Sequence, residues 1–383
     1  MAREREPERG ARRVAVISFS TLRSDPRVLK QLPLLAGHEV TTIGHGEAPD
    51  GVAAHIRVPD EAQAWQYPRI PVIARRYRHA YAHNPAVAAV RAQTGPGRFD
   101  AVIANDLDAA GVAAWLRAPL GFHLDLHEFA PEQNAELWRF RTFVAPFLRW
   151  QLRTYARQAR STSTVGHEIA QRYAREFGLD PAVVMNASAF QERAPHATPD
   201  TIRLVHAGAA LPNRRIEEMI EAAGAAAAAG APLTFDVFLA PNHPAYAEEL
   251  ARLADRHPAV TVCPAIPHRE LVARLAEYDV GVHLLAPTNY NNLVALPNKL
   301  FDFVQARLGV VIGPSPEMSR VVDEHGLGVV AGGFAADDLR SELMRLTPAR
   351  VDAFKQAADR AASALSSERQ SDVWRDQFAR LLA

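Results

Sequence analysis

Cysteine is almost absent from this chain. Cys263 stands alone in 383 residues, which excludes an intrachain disulfide or a multi-cysteine metal centre and leaves it the role of a small buried hydrophobe. Lysine is nearly as scarce: Lys30, Lys299 and Lys355 are the only three, and arginine supplies the rest of the 43 basic residues. A single arginine therefore says little, whereas Lys299 stands out. Net charge is missing too, because 43 acidic residues balance the basic ones, and this argues against general nucleic-acid binding or a strong pull toward anionic membranes. The longest apolar runs break within about ten residues, short of the ~20 that a bilayer demands. Neither a spanning helix nor a signal peptide is expected, and the cytoplasm is the expected compartment.

What is present is an ordinary globular composition, 48% hydrophobic and 22% charged. The length exceeds what one hydrophobic core normally supports, so two domains are expected. After a charged, aperiodic tail over 1–13, the run Val14 to Phe19 suits a strand buried on both faces, as in a parallel sheet. Asp25-Pro26 opens a helix with apolar Val28, Leu32 and Leu35, Gly37 stops it, and Val40 to Ile43 resumes strand character. Further strands are expected at Ala101 to Ala104, Gly121 to Leu126, Ser163 to Val165 and Val183 to Met185. This alternation predicts a doubly wound α/β domain. Ligands in such sheets bind beyond the carboxyl ends of strands, where Asp106, His127 and Glu128 fall.

Residues 136 to 160 read as an amphipathic helix pair interrupted by Pro146 and rich in Trp, Phe and Arg. Packing of its Leu and Phe side chains on the sheet is the favoured reading, ahead of a position in a lipid headgroup layer. The Arg75, Arg76 and Arg78 cluster is read likewise as a solvated face. Asn186 to Asp200 turns to Pro, Ala and polar residues without periodicity, which marks a linker. The expected division is a first domain over 14–190, a linker over 191–200, a second domain over 201–365, and a C-terminal helix over 366–383 packing back on the first domain. The cleft between two such domains is the default site.

The second half repeats the α/β pattern, with strands at Ile202 to His206, Phe235 to Leu239, Val260 to Cys263, Val280 to Leu285, Val310 to Ile312 and Gly328 to Val330. Its most informative stretch is VGVHLLAPTNYNNLVALPNKLFDFVQARLGVVIG, from Val280 to Gly313. A polar loop there opens a helix, whose exposed N–H groups and positive dipole end form an anion site with Asn298 and Lys299 at its mouth. One turn further in, Asp302 is placed to accept hydrogen bonds from a diol such as a ribose. Phosphate mouth followed by carboxylate suits a nucleotide diphosphate.

Six segments in order, DPRVLKQ, IANDLDA, LDLHEFAPE, STVGHEIAQRY, HAGAALPNRRIEEMIEA and ALPNKLFDFVQARLGVVI, give the chain a resemblance to the retaining glycosyltransferases of family four. The resemblance spans Val14 to about Val330 and implies a GT-B architecture of two Rossmann-like domains facing across a cleft. It implies transfer of a sugar, UDP-linked by preference, from the second domain to an acceptor hydroxyl held by the first, without a metal or other cofactor. The acceptor would be a metabolite, a sugar chain or a lipid-linked sugar. Carried over residue by residue, the donor set is Gly208, Arg214, Arg215, Ile266, Asn298, Lys299 and Asp302. Ala209 stands where the family usually has an arginine on the diphosphate, and Val294 where the first of two glutamates contacts the donor sugar. Backbone groups of the loop Tyr290 to Leu296 are expected to serve instead.

His127 matches the family's first-domain histidine near the transferred sugar, Glu128 orients it or the acceptor, and Arg214 and Lys299 stabilise the departing diphosphate. Asp106, Asp25 and Arg27 are the acceptor-side candidates, although Asp106 reads equally as a helix cap and Asp25-Pro26 as a helix start. His123, Asp125 and His127 alternate on one strand face, a spacing that zinc could use; this reading ranks well below the others, and no metal is expected. Two other functions compete: a nucleotide-sugar epimerase or hydrolase of the same fold, and a non-catalytic nucleotide-sugar-binding subunit.

Overall fold

The computed structural model describes residues 10–240 and 242–383. The chain divides into two compact units, one of 1–185 with 371–383 and the other of 186–370. The segment expected as a linker thus belongs to the second unit. Most of the tail expected over 1–13 lies outside the described residues, and Arg13 already opens the first strand.

In the first unit, β1 (Arg13–Thr21), β2 (Glu39–His45), β3 (Ala54–Arg57), β4 (Ala101–Asn105), β5 (Phe122–Leu126), β6 (Ser161–Thr164) and β7 (Pro181–Val183) form a seven-stranded sheet in the order β3-β2-β1-β4-β5-β6-β7. Every pairing is parallel. The central strands are buried on both faces, which is why their sequences run apolar without alternation. The order reverses between β1 and β4, so the chain leaves a crevice beyond the carboxyl ends of β1, β4 and β5.

The second unit carries a six-stranded parallel sheet of β8 (Ile202–Ala209), β9 (Leu233–Ala240), β10 (Val260–Pro264), β11 (Val280–His283), β12 (Gly309–Ile312) and β13 (Gly328–Val330), ordered β10-β9-β8-β11-β12-β13. Its core joins Leu204, Phe235, Val282 and Val311 of the sheet to Met219 and Ile220 of the Ala-rich helix Ile216–Ala228. The switch point here lies between β8 and β11.

Two local outcomes differ from the sequence reading. The helix pair expected around Pro146 is a wide turn over Phe140–Val144 running into the helix Ala145–Thr154, and Pro146 sits in that helix's first turn, where its missing N–H costs nothing. The edge strand β3 and the helices Arg69–Ile73, Tyr77–Ala82 and Pro85–Gln93 had no periodic signal strong enough to announce them.

Residues 371–383, within the helix Ser367–Leu382, send Trp374, Phe378 and Leu381 into the first unit's core beside Val14, Val16 and Ile103. The Trp374 ring covers the Arg27 guanidinium at 4.6 Å, and its Nε1 donates to Ser163 Oγ at 3.0 Å. Trp374→Ala is expected to cost about 3–5 kcal/mol, the scale of deleting a buried aromatic ring, read as an earlier urea transition of the first unit. A midpoint equal to that of the parent would mean that the C-terminal helix does not hold this core.

Candidate functional site

Beyond the carboxyl ends of β4 and β5 lies a cluster built around Asp125. Its side chain is fully buried and would be prohibitively costly as a lone charge. Arg27 answers it bidentately, Nε to Oδ2 at 2.5 Å and Nη2 to Oδ1 at 2.7 Å, while Ser163 Oγ donates to Oδ1. Burial works against the charged form, but Arg27 and His127 override it and hold the carboxyl well below its usual range. Arg27 also donates to the Val184 carbonyl at 3.0 Å. It is therefore occupied inside the fold, which corrects the expectation that it meets an acceptor. Asp25 is likewise a helix cap: its Oδ1 accepts from the Arg27 and Val28 amides, and its Oδ2 from Ser20 Oγ at 2.6 Å.

His127 follows β5 and lies between two carboxylates, Nδ1 at 3.1 Å from Asp106 Oδ2 and Nε2 at 3.0 Å from Asp125 Oδ2. The second is a charge contact rather than an aligned hydrogen bond. Burial alone would strip its proton, yet the two carboxylates raise its pKa to about 10, so it is an imidazolium at neutral pH. Asp106 occupies the N-cap position of the helix Leu107–Leu116 in left-handed backbone, φ 65°, but its side chain makes no cap bond there. It turns to His127 instead. His123 does not join a zinc set: its ring nitrogens face Ser161 Oγ at 2.8 Å and Ser163 Oγ at 2.9 Å. Burial lowers its pKa to about 4.

Asp106 and Glu128 line a pocket of about 110 Å³ with Tyr67, Asp108, Gln133 and Leu148. Burial, then the charge of Asp106, raises Asp108 to about 7, and Tyr67 Oη donates to it at 3.2 Å. Tyr67 sits in an aperiodic stretch, where nothing singles it out. Asp108 was visible only as a second acid in the first turn of a helix.

In the second unit the sequence candidates converge at the end of β8. An added Cβ at Gly208 would lie 2.8 Å from Lys299 Cε, 3.1 Å from its Nζ and 3.3 Å from His206 Nε2, so this glycine supplies room rather than unusual backbone. Lys299 sits in the first turn of the helix Asn298–Gln305. Its pKa is lowered by burial and then by the Arg214 charge, with Asp302 opposing. His206 and His283 stack at 5.7 Å between ring centroids, and His206 Nδ1 donates to the Val282 carbonyl at 2.9 Å. Burial and Lys299 lower His206 to about 3 and hold His283 well below the usual imidazole range, so both rings are neutral. Neither nitrogen of the buried His283 has a hydrogen-bond partner. These two histidines escaped the sequence reading, although His206 closes one expected strand and His283 interrupts the apolar run of another.

The remaining donor-side candidates are less alike. Arg215 adopts left-handed backbone at φ 49° and pairs with Glu218, so it does not complete the cation set. Asp302 is 6% exposed and accepts a short hydrogen bond from Ser188 Oγ. Asn298 is exposed at the helix mouth, and Ile266 is half-buried in the turn after β10. Val294 is a buried core residue, while Ser315 Oγ donates to the Leu293 carbonyl at 2.8 Å and lies 3.3 Å from that of Ala295. Those two backbone groups of the loop are thereby occupied.

Two doubly wound units of this topology are the fold of the GT-B proteins of known structure. Among them, WaaG, a glycosyltransferase involved in lipopolysaccharide biosynthesis, aligns at TM-score 0.64 and 13% identity over 95% of this chain and 99% of its own. The α,α-trehalose 6-phosphate synthase of Burkholderia multivorans aligns at 0.66 and 14% over 97% and 98%. A TarM variant from S. aureus, solved with UDP, aligns at 0.57 and 12% over 73% and 55%. No protein-family model and no curated protein matches the sequence.

The shifted histidines set the pH dependence of stability. Below about pH 6.5 the unfolded chain takes up protons that folded His123, His206 and His283 refuse, so stability falls as pH falls. Asp108 acts the opposite way from about pH 4 to 7, one group against three. Between about pH 6.5 and 10 folded His127 keeps a proton that the unfolded chain loses, so stability falls as pH rises. His127→Gln should flatten this upper limb, and His123→Gln should reduce the acid slope by about 1.4 kcal/mol per pH unit. Urea midpoints from pH 4.5 to 9.5 check both; an upper limb unchanged in His127→Gln would refute the ion-paired state.

Proposed function

We propose that the protein is a glycosyltransferase that moves a hexosyl group, with retention, from a nucleotide diphosphate donor to an acceptor hydroxyl, UDP being the favoured carrier. The observation that carries this reading is the half-buried Lys299, placed over Gly208 at the mouth of a helix, with Arg214 close enough to lower its pKa. Two cations pressed together in a desolvated corner, beside two neutral imidazoles, gain most from a dianion. A sugar–phosphate bond that breaks heterolytically puts negative charge on the departing diphosphate, and preorganised donors aimed at that charge lower the barrier. Lys299, Arg214 and the amides of the helix Asn298–Gln305 supply them, so the reaction asks for no metal. Arg214 binds in a fork and Lys299 as a point charge.

The leaving phosphate then takes the proton of the attacking hydroxyl, which dispenses with a side-chain nucleophile. In the first unit, Asp106 and Glu128 line the pocket that takes the acceptor in this reading, and the charged His127 holds Asp106 in position beside it. Asp302, one turn after Lys299 and fixed by Ser188, is the carboxylate of this reading for the ribose hydroxyls. The UDP in the TarM complex, a protein of similar fold, supports the choice of nucleotide.

Lys299→Ala and Arg214→Ala are each expected to lower turnover about a hundredfold or more, the loss seen when one preorganised donor is removed. Addition of millimolar UDP to the parent protein should raise Tm, since a ligand of the native state alone stabilises it, and Lys299→Ala should abolish that rise. Near-normal rates in both variants, or no stabilisation by UDP, GDP, dTDP or ADP, would sink the donor assignment.

A further inference from the structure

We propose that the first unit binds the surface of an anionic lipid bilayer through a patch formed by residues 65–78 and 137–141. This goes beyond the transferase reading and does not depend on it. Five of the eight large hydrophobic side chains exposed among the described residues lie in these two segments: Trp65 at 68%, Ile70 at 80%, Ile73 at 56%, Leu137 at 57% and Trp138 at 58%. Ile70 and Ile73 share one face of the helix Arg69–Ile73, whose buried residue is Val72. That helix packs against the turn Phe140–Val144, so the segments meet in space. Tyr77 joins them from behind, its ring 5.6 Å from Phe147 and 5.8 Å from Trp150.

Within these segments the charge is basic, the nearest acids in sequence being Glu61 before the first and Glu136 before the second. From residue 62 to 99 there is no Asp or Glu, and none from 137 to 167, while each stretch carries six arginines. Arg69, Arg75, Arg76 and Arg78 are exposed, and no carboxylate among the described residues pairs with them. Surface arginines elsewhere in the chain are commonly paired, as Arg345 is with Glu342 and Arg375 with Asp372. Unpaired cations around exposed indole and aliphatic side chains match a headgroup layer: the arginines meet anionic phosphates, and Trp and Ile enter the acyl boundary. A nucleic acid would answer the arginines but would leave Ile70, Ile73 and Leu137 in water. The expected packing of residues 136 to 160 on the sheet thus holds only for its second part, where Phe147, Leu148 and Leu152 are buried.

The test is flotation of the full chain with vesicles of neutral phosphatidylcholine and of phosphatidylcholine with 25% phosphatidylglycerol. Binding is expected to the anionic vesicles only and should weaken as salt rises. Arg76→Ala/Arg78→Ala should lower partitioning roughly thirtyfold, following about a fivefold loss per basic residue at the surface. Ile70→Asp/Ile73→Asp should abolish binding, each variant retaining the parent Tm. Equal binding to both vesicle types, binding to neither, or parent-like binding of the two variants would overturn the proposal. So would a dimer in solution that Ile70→Asp/Ile73→Asp dissociates, or an oligonucleotide that competes the vesicles away, since either would give the patch another occupant.

Discussion

The buried carboxylate of Asp125 is the constraint on which the first unit is arranged. Removing a charge from water costs several kcal/mol even after relaxation, so the fold must bring partners to it from every side. Arg27 arrives from the helix after β1, Ser163 from β6, Gln31 Nε2 at 3.4 Å and His127 from the end of its own strand. Trp374 then covers the guanidinium and bonds the serine. Each partner except His127 is far away in sequence. Satisfaction of one carboxylate thus fixes two strands, one helix and the C-terminal segment in a single register, and it fixes the charge state of the one histidine that reaches the crevice.

The second unit shows the same physics with the balance left open. Asp279, fully buried, is answered by Arg203 at 3.0 Å and Lys355 at 3.1 Å; that network is closed and structural. Lys299 has no such carboxylate bonded to it: Asp302 lies one turn away and is itself bonded by Ser188, and the neighbours that matter most to its charge are burial and Arg214. Two scarce lysines therefore stand in opposite surroundings. Lys355 completes an ion pair, while Lys299 lies beside a second cation, Arg214, with no salt bridge to a carboxylate among the described residues.

That contrast marks how far sequence reasoning reaches. Strands buried on both faces write themselves as apolar runs, so the sheets, their alternation with helices and the residues at strand ends could be located. Gly208 and Lys299 were found because a glycine before a loop and a lysine at a helix mouth carry local signals. Scarcity alone could not separate Lys299 from Lys355, since partners are a property of tertiary structure. Asp25 and Arg27 stayed open between helix start and acceptor contact for the same reason: a helix opening by Asp-Pro looks alike whether its arginine meets a ligand or a carboxylate 98 residues away. His206 and His283 went unremarked in their apolar runs, because only the parallel pairing of β8 with β11 stacks them.

Net charge shows the same limit in another form. A formal charge of zero suggested indifference to polyanions, but a field depends on where charges lie and not on their sum. Carboxylates are spent next to arginines over much of the chain, often three residues away on one helix turn. Residues 62–99 and 137–167 contain none, and of their arginines Arg149 is answered from outside, by Glu132 and Glu176. The average is neutral because acids elsewhere cancel the exposed Arg69, Arg75, Arg76 and Arg78 arithmetically, while beyond a Debye length of about 8 Å at physiological salt they cannot cancel them physically.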